Sequence, residues 1–406
     1  MIQTIRKAWG VPELRKKIVF TLLILLIFRI GNAIPVPYIN TTLLGNYLDS
    51  MSGTVLGLYN VMSGGAFAEA TVFALGVQPY INSSIIIQLL TIAIPALERL
   101  ARDGGEAGKK KIASITRYAT VAIALLQGFG YYMICKNYNI LEQQGIWPAL
   151  VIIVSFVAGS SFVMWLGEQV NEFGVGNGIS FIILVGIIAR LPVALFYEFT
   201  SRLPGSTGSE GGLIMFIVEI VLLFAVTIGA VLLVQGTRKV PVQYAKRIVG
   251  NKQYGGARQY IPLKVNAAGV MPIIFAQAIM FIPITLAGFS SADGGTGFFA
   301  TFSDINGFWY NLVYFILIVA FTYFYTAITV RPTQMAEEMK RNNGFIPGVK
   351  PGKKTAEYLD SIMSRITLPG SLFLGIVAIL PAFARLFGIS QNFAQFFGGT
   401  SLLIMV

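Results

Sequence analysis

Side chains able to do covalent or acid–base chemistry are nearly absent from this sequence. It contains no histidine and a single cysteine, Cys135, which removes imidazole metal ligands, Ser/His and Cys/His pairs and any intramolecular disulfide. Arg29, Arg190 and Glu219 fall within apolar runs but toward the ends of them. No run carries a central carboxylate, the part that ion-coupled carriers and proton relays depend on. There is no paired acid, metal-ligand cluster or nucleotide-binding loop, so no catalytic residue, metal or cofactor is expected. What remains is positive charge. Residues 235–264 hold seven Arg or Lys and no Asp or Glu, and residues 331–366 hold seven more. Cations at that density suit phosphates and acidic protein surfaces.

The elements that present these loops follow from composition. Of 406 residues, 55% are apolar, about 223, and only 12% are charged, half the ~25% usual in soluble domains. Mean hydropathy is +0.70. A span takes about 20 apolar residues, so roughly ten fit and a soluble globular protein is excluded. Apolar runs lie near 18–34, 71–97, 118–134, 147–166, 179–196, 213–234, 265–288, 308–330 and 367–384. A tenth begins at Gly399 and is cut short at Val406, so its completion is expected beyond that residue. The basic segment 1–17 resembles a surface-lying amphipathic helix. With run 18–34 it also has the outline of a signal peptide, but Pro35 and Pro37 follow instead of a small-residue cleavage site, so a retained first span is expected.

With the N-terminal segment inside, the inner segments hold 25 of the 30 Arg and Lys. Basic residues concentrate on the cytoplasmic side, so both ends are expected there. Within 235–264, the stretches 240–249 and 253–264 flank Gly250 and Asn251, a pattern for a two-stranded finger. Within 331–366, Ile346-Pro347-Gly348-Val349-Lys350-Pro351-Gly352 is rich in turn formers.

At an offset of 193 the chain repeats itself. Gly76-Val77-Gln78-Pro79-Tyr80-Ile81 falls on Gly269-Val270-Met271-Pro272-Ile273-Ile274, in spans two and seven. Five spans apart, the copies run oppositely through the membrane, the layout of inverted repeats around a central pathway.

Several stretches resemble the SecY family, the central subunit of the bacterial protein-conducting channel. They are Ser63-Gly64-Gly65-Ala66-Phe67, residues 73–88, Gly174-Val175-Gly176-Asn177-Gly178-Ile179-Ser180, residues 263–272 and residues 398–403. The resemblance implies an all-α membrane protein of ten transmembrane helices, in two pseudo-symmetric inverted halves about an hourglass pore. The halves would be 1–212 and 213–406, and the substrate an unfolded polypeptide passed across the bacterial cytoplasmic (inner) membrane or released sideways into the lipid bilayer. It also implies a pore ring of Val77, Ile81, Ile179, Ile183, Ile274 and Ile404, where aliphatic side chains gate by dewetting. Lipid-facing or packing roles are the bland alternative for these six. Residues 54–70, with Leu58, Met62, Ser63, Gly64, Gly65, Ala66 and Phe67, match the family's plug; a surface loop is the alternative.

A lateral gate would run between spans 2–3 and 7–8, with Asn82, Ser83, Ser84, Gln88, Gln127 and Gln277 bonding weakly across it, though generic helix packing accounts for them equally well. Arg238, Lys239, Lys246, Arg247, Lys252, Arg258, Lys350, Lys353 and Lys354 match the loops that dock the SecA motor or the ribosome. Lys350 stands where the family commonly has arginine, keeping the charge but losing the planar fork. The implied partners are SecE and SecG, SecA, the ribosome and signal-sequence-bearing preproteins. A secondary transporter with inverted repeats and a purely structural membrane scaffold are the rival readings.

Overall fold

A computed structural model describes residues 9–50, 60, 63–102, 104–203, 212–244, 247–249, 252–254, 258–277, 279–280, 307–398 and 401–403. The chain divides into two compact units, Met1–Tyr197 and Glu198–Val406.

The first unit is helical. It comprises α1 (Pro12–Gly31), α2 (Thr41–Ser50), α3 (Gln78–Ala93), α4 (Pro95–Arg102), α5 (Gly105–Asn137), α6 (Ile146–Phe173) and most of α7 (Gly178–Ser201). Prolines set several boundaries. Pro12 and Pro79 open their helices, where a missing N–H costs nothing. Pro95 forces Ile94 into an extended conformation (φ −107°, ψ 112°), because a residue before proline avoids the helical region. That separates α3 from α4. The core joins Tyr131 and Phe156, in edge contact at 4.7 Å, to Leu44, Leu48, Phe67 and Leu75.

The run 71–97 is therefore not one helix. Residues 71–77 form turns, and Gly76 takes φ +52°. Two residues of α6 hold this turn. A β-carbon at Gly159 would collide with the Val72 carbonyl, and Ser160 Oγ donates to the Gly76 carbonyl at 3.2 Å. The second copy of the motif has the same local geometry. Gly269 takes φ +63°, and helix α9 (residues 271–277) starts there rather than at 265. The Val77 carbonyl accepts from the N–H groups of Tyr80 and Ile81, and the Val270 carbonyl accepts from those of Ile273 and Ile274.

The second unit adds α8 (Gly212–Gln235), α10 (Phe308–Thr329), α11 (Pro332–Arg341), α12 (Lys353–Leu386) and α13 (Gln391–Ala394). Its apolar core comes from Ile273, Ala276, Tyr310, Tyr314, Ile318, Leu374 and Val377. Tyr310, Tyr314 and Ile318 recur every four residues and so share one face of α10.

Strands make up a separate layer of this unit. β1 (Thr237–Tyr244) pairs antiparallel with β4 (Arg258–Lys264), and β2 (Arg247–Val249) with β3 (Lys252–Tyr254). The finger expected from the sequence is present, with Val249 opposite Lys252. A third strand, β5 (Gly344–Phe345), comes from the other basic loop and joins β1 at Gln243 and Tyr244 only. Pro241 lies beyond that contact, so its missing N–H interrupts no pairing on this side. Val240, Val242 and Leu263 then pack on Met339, Ile346, Leu359, Ile362 and Met363. Both basic loops thus belong to one small domain.

Six helices among the described residues are long and apolar enough to cross a membrane, those containing α5, α6, α7, α8, α10 and α12. In α8 only 11% of the apolar window is buried. Ile214, Val221, Phe224 and Leu232 stand exposed, a surface suited to lipid or a partner helix rather than water.

Candidate functional site

The turn at 71–77 delivers Val77 to the first residue position ahead of α3, and Ile81 follows one turn later. Both are buried. They line a cavity with Phe28 of α1, Ser63, and Ile182 and Ile183 of α7. The structure therefore brings together three expected ring residues, Val77, Ile81 and Ile183. Ile179 is not in that lining. Its Cγ1 would lie 2.9 Å from a β-carbon at Gly167, so it packs over α6. Ile182, buried beside Ile183, lines the cavity and was not foreseen. Ile274 is partly buried on α9 in the second unit, between the core residues Ile273 and Phe275. Ile404 lies outside the described residues.

Of the segment expected to be the plug, Leu58 and Met62 lie outside the described residues. Ser63, Gly64, Gly65, Ala66 and Phe67 are all buried, unlike an exposed loop. Their fold is held by local polar bonds. Ser63 Oγ donates to the Asn60 carbonyl at 3.1 Å and accepts from the Phe67 N–H at 3.1 Å. Tyr131 Oη donates to the Phe67 carbonyl at 2.7 Å, and the two rings meet edge to face at 4.8 Å. Ala70 (φ +46°) sends its carbonyl to the Val36 N–H at 2.9 Å, which returns the chain toward α3.

The seam residues divide. Ser84 and Gln88 bond each other along α3 at 3.3 Å. Ser83 is fully buried, and neither its Oγ nor Gln127 Oε1 on α5 has a partner among the described residues. Buried orphans of this kind weaken a packed surface. Asn82 and Gln277 are half-buried.

On the strand domain, Arg238 and Lys239 are exposed on β1. Arg247, Lys252 and Arg258 lie in β2, β3 and β4, and Lys246 lies outside the described residues. Lys350 is exposed in a proline–glycine turn. There the Val349 N–H reaches the Ile346 carbonyl at 3.1 Å and Gly348 takes φ +87°, the type II pattern. Thr355 Oγ1 donates to the Lys350 carbonyl at 3.0 Å. Lys353 and Lys354 open α12, where the helix dipole disfavours cations; Lys354 meets Glu357 at 3.1 Å.

One polar cluster escaped the sequence reading. Arg202 follows α7 and is 4% exposed. Its Nε donates to Glu198 Oε1 at 3.1 Å. Its Nη2 donates to Glu219 Oε1 on α8 and to the Gly388 carbonyl after α12, both at 2.7 Å. The Ser390 N–H reaches Glu198 Oε2 at 3.2 Å. The signal was Glu219 itself, a carboxylate inside an apolar run.

The sequence profile of the SecY family matches residues 71–406. The protein translocase subunit SecY of Streptomyces coelicolor is 42% identical over 100% of this chain and 94% of its own length. That of Aquifex aeolicus is 40% identical over the same shares. Among solved structures, a protein-conducting channel superposes with a TM-score of 0.64 at 18% identity, covering 96% of this chain and 89% of the other. Sec61 from a canine ribosome–channel complex gives 0.59 at 17%, again covering 96% and 89%.

Proposed function

The chain belongs to the SecY family, and from that premise we propose that it forms the conduit through which unfolded polypeptides cross the bacterial inner membrane. It is a multi-pass membrane protein and a channel subunit, not an enzyme. In this reading 1–212 and 213–406 are the two halves, and the segment 1–17 and both basic loops face the cytoplasm. The observation that carries it is the cavity where Val77, Ile81 and Ile183 meet Ser63 of the buried 63–67 stretch. Beside the polar Ser63 and Gln78, the branched aliphatic side chains Val77, Ile81 and Ile183 give water no hydrogen-bond partner and resist wetting. They also make no directional bond, so side chains of any type can slide past.

Energy must come from outside, from the SecA ATPase or from ribosomal synthesis. SecE and SecG would lie against lipid-facing helices such as α8. The seam marked by Ser83 and Gln127 would part for a signal segment, which is then released into the bilayer.

The direct experiment places a photo-cross-linker at position 81 and stalls a secretory polypeptide in transit. Adducts to the polypeptide are expected at position 81 and not at Ile86, which is 45% exposed on the opposite side of α3. Equal labelling from both positions, or none from 81, would remove Ile81 from the path and favour a carrier.

Lys350 is the sharpest candidate in the docking surface, since its side chain is exposed while its carbonyl is held by Thr355 Oγ1. Lys350→Glu is expected to weaken binding of SecA or ribosomes about fivefold, ~1 kcal/mol for an exposed charge contact. The loss should shrink at high salt, with thermal stability unchanged. An affinity that ignores both the substitution and the salt would take Lys350 out of the interface.

A further inference from the structure

Arg190 is a cation inside an apolar helix, about three turns from the start of α7, and charges there are costly unless they have work to do. Its Nη2 donates to Asn60 Oδ1 at 3.4 Å. Its guanidinium also covers Gly65: a β-carbon there would collide with Nη2 and lie 2.9 Å from Cζ and Nε. One turn earlier on the same face of α7, a β-carbon on Gly64 would lie 2.9 Å from the Gly186 carbonyl oxygen and 3.0 Å from its Cα. Gly64 and Gly65 take φ +69° and +97°, which side chains rarely adopt. Two successive glycines therefore seat on α7, one against its backbone and the other beneath its arginine.

Asn60 is the hub of the segment it belongs to. Its carbonyl accepts from Gly65 N–H at 2.8 Å and from Ser63 Oγ at 3.1 Å. Its Oδ1 also accepts from Ala68 N–H at 3.0 Å. A group that pulls on Asn60 pulls on the whole turn.

We propose that Arg190 is a positioning residue for translocation, a latch that holds Asn60 and residues 63–70 against α7 in the resting channel. The inference rests on the reading of 54–70 as the plug. Release has to be easy, since the segment must leave with every substrate. The link from Arg190 to Asn60 itself, 3.4 Å to a neutral amide, is long and weak, and the cover over Gly65 needs no strong bond to work. A simple outward reach for lipid headgroups would carry the guanidinium away from Asn60 and Gly65, not onto them.

The test is ion conductance of the reconstituted full complex in the absence of substrate. Arg190→Met keeps the bulk and loses the donors; it is expected to raise resting conductance about tenfold, with Arg190→Lys recovering part of the seal. Asn60→Asp offers the arginine a charge and is expected to lower resting conductance and delay opening by a signal peptide, a gain that Arg190→Met in the same chain abolishes. Gly64→Val is the reference, because it wedges the segment off Gly186 without touching Arg190. If Gly64→Val leaks and Arg190→Met does not, the segment seals but Arg190 is no latch. If neither leaks, the plug reading fails as well. Unchanged conductance and opening in Asn60→Asp also overturn the latch, whether or not Arg190→Met assembles.

Discussion

Arg202→Met is expected to destabilise the second unit by about 3–5 kcal/mol, the cost of breaking a buried ion pair by removing one partner. Methionine fills a similar volume, so the loss is electrostatic rather than a cavity. Without the guanidinium, the carboxylates of Glu198 and Glu219, each 1% exposed, lose the donor that bonds both. The Gly388 carbonyl loses its partner too. For a unit of this size the thermal midpoint in detergent should fall on the order of 10 °C. Neutralising the acids in the same chain, with Glu198→Gln and Glu219→Gln, should recover most of it. Replacing a whole buried ionic set is often close to neutral, whereas breaking it is not. A drop under ~1 kcal/mol in Arg202→Met alone would mean that water reaches these carboxylates and the cluster is not the closed knot described.

The cluster also shows where sequence reading stops. Charge bias gives only an expected orientation of the spans, because the positive-inside rule acts on composition alone. The β2–β3 hairpin was legible from the Gly250-Asn251 step. The repeat was legible from Gly-Val-x-Pro, and both copies prove to turn on a positive-φ glycine. Tertiary contacts were not legible. Pairing of β5 with β1 joins residues a hundred positions apart through two residues of each strand, too short a run to leave a periodic trace. Ile182 replaces Ile179 in the cavity because Gly167 gives Ile179 a place on α6, and only that glycine's spatial position could have said so. Arg190 and Glu219 stood out as charges within apolar runs, but their partners Asn60 and Arg202 lie on other elements. The start of α3 slipped from 71 to 78 for a similar reason: the turn is held by Gly159 and Ser160, distant in sequence.

Ile81→Asn is expected to raise resting ion conductance of the reconstituted channel at least tenfold, on the order of 1.4 kcal/mol in the closed–open balance. The Ile81 side chain is 8% exposed and faces the cavity with Val77 and Ile183. An amide there offers water both donors and acceptors, so the stretch that must stay dry gains a place for it to bind. Ile81→Leu, apolar and of equal volume, should keep the seal. Ile274 holds the repeat-equivalent position, and its N–H donates to the Val270 carbonyl as that of Ile81 does to Val77, so Ile274→Asn should leak as well, and the double variant more than either. The control is Ile86→Asn on the same helix. It introduces the same amide on a face 45% exposed, where a general loosening of α3 would leak as badly as a wetted pore. A leak from position 81 without one from position 86 can only come from what Ile81 faces. Equal leaks would reduce the effect to helix damage and leave the aliphatic ring without support.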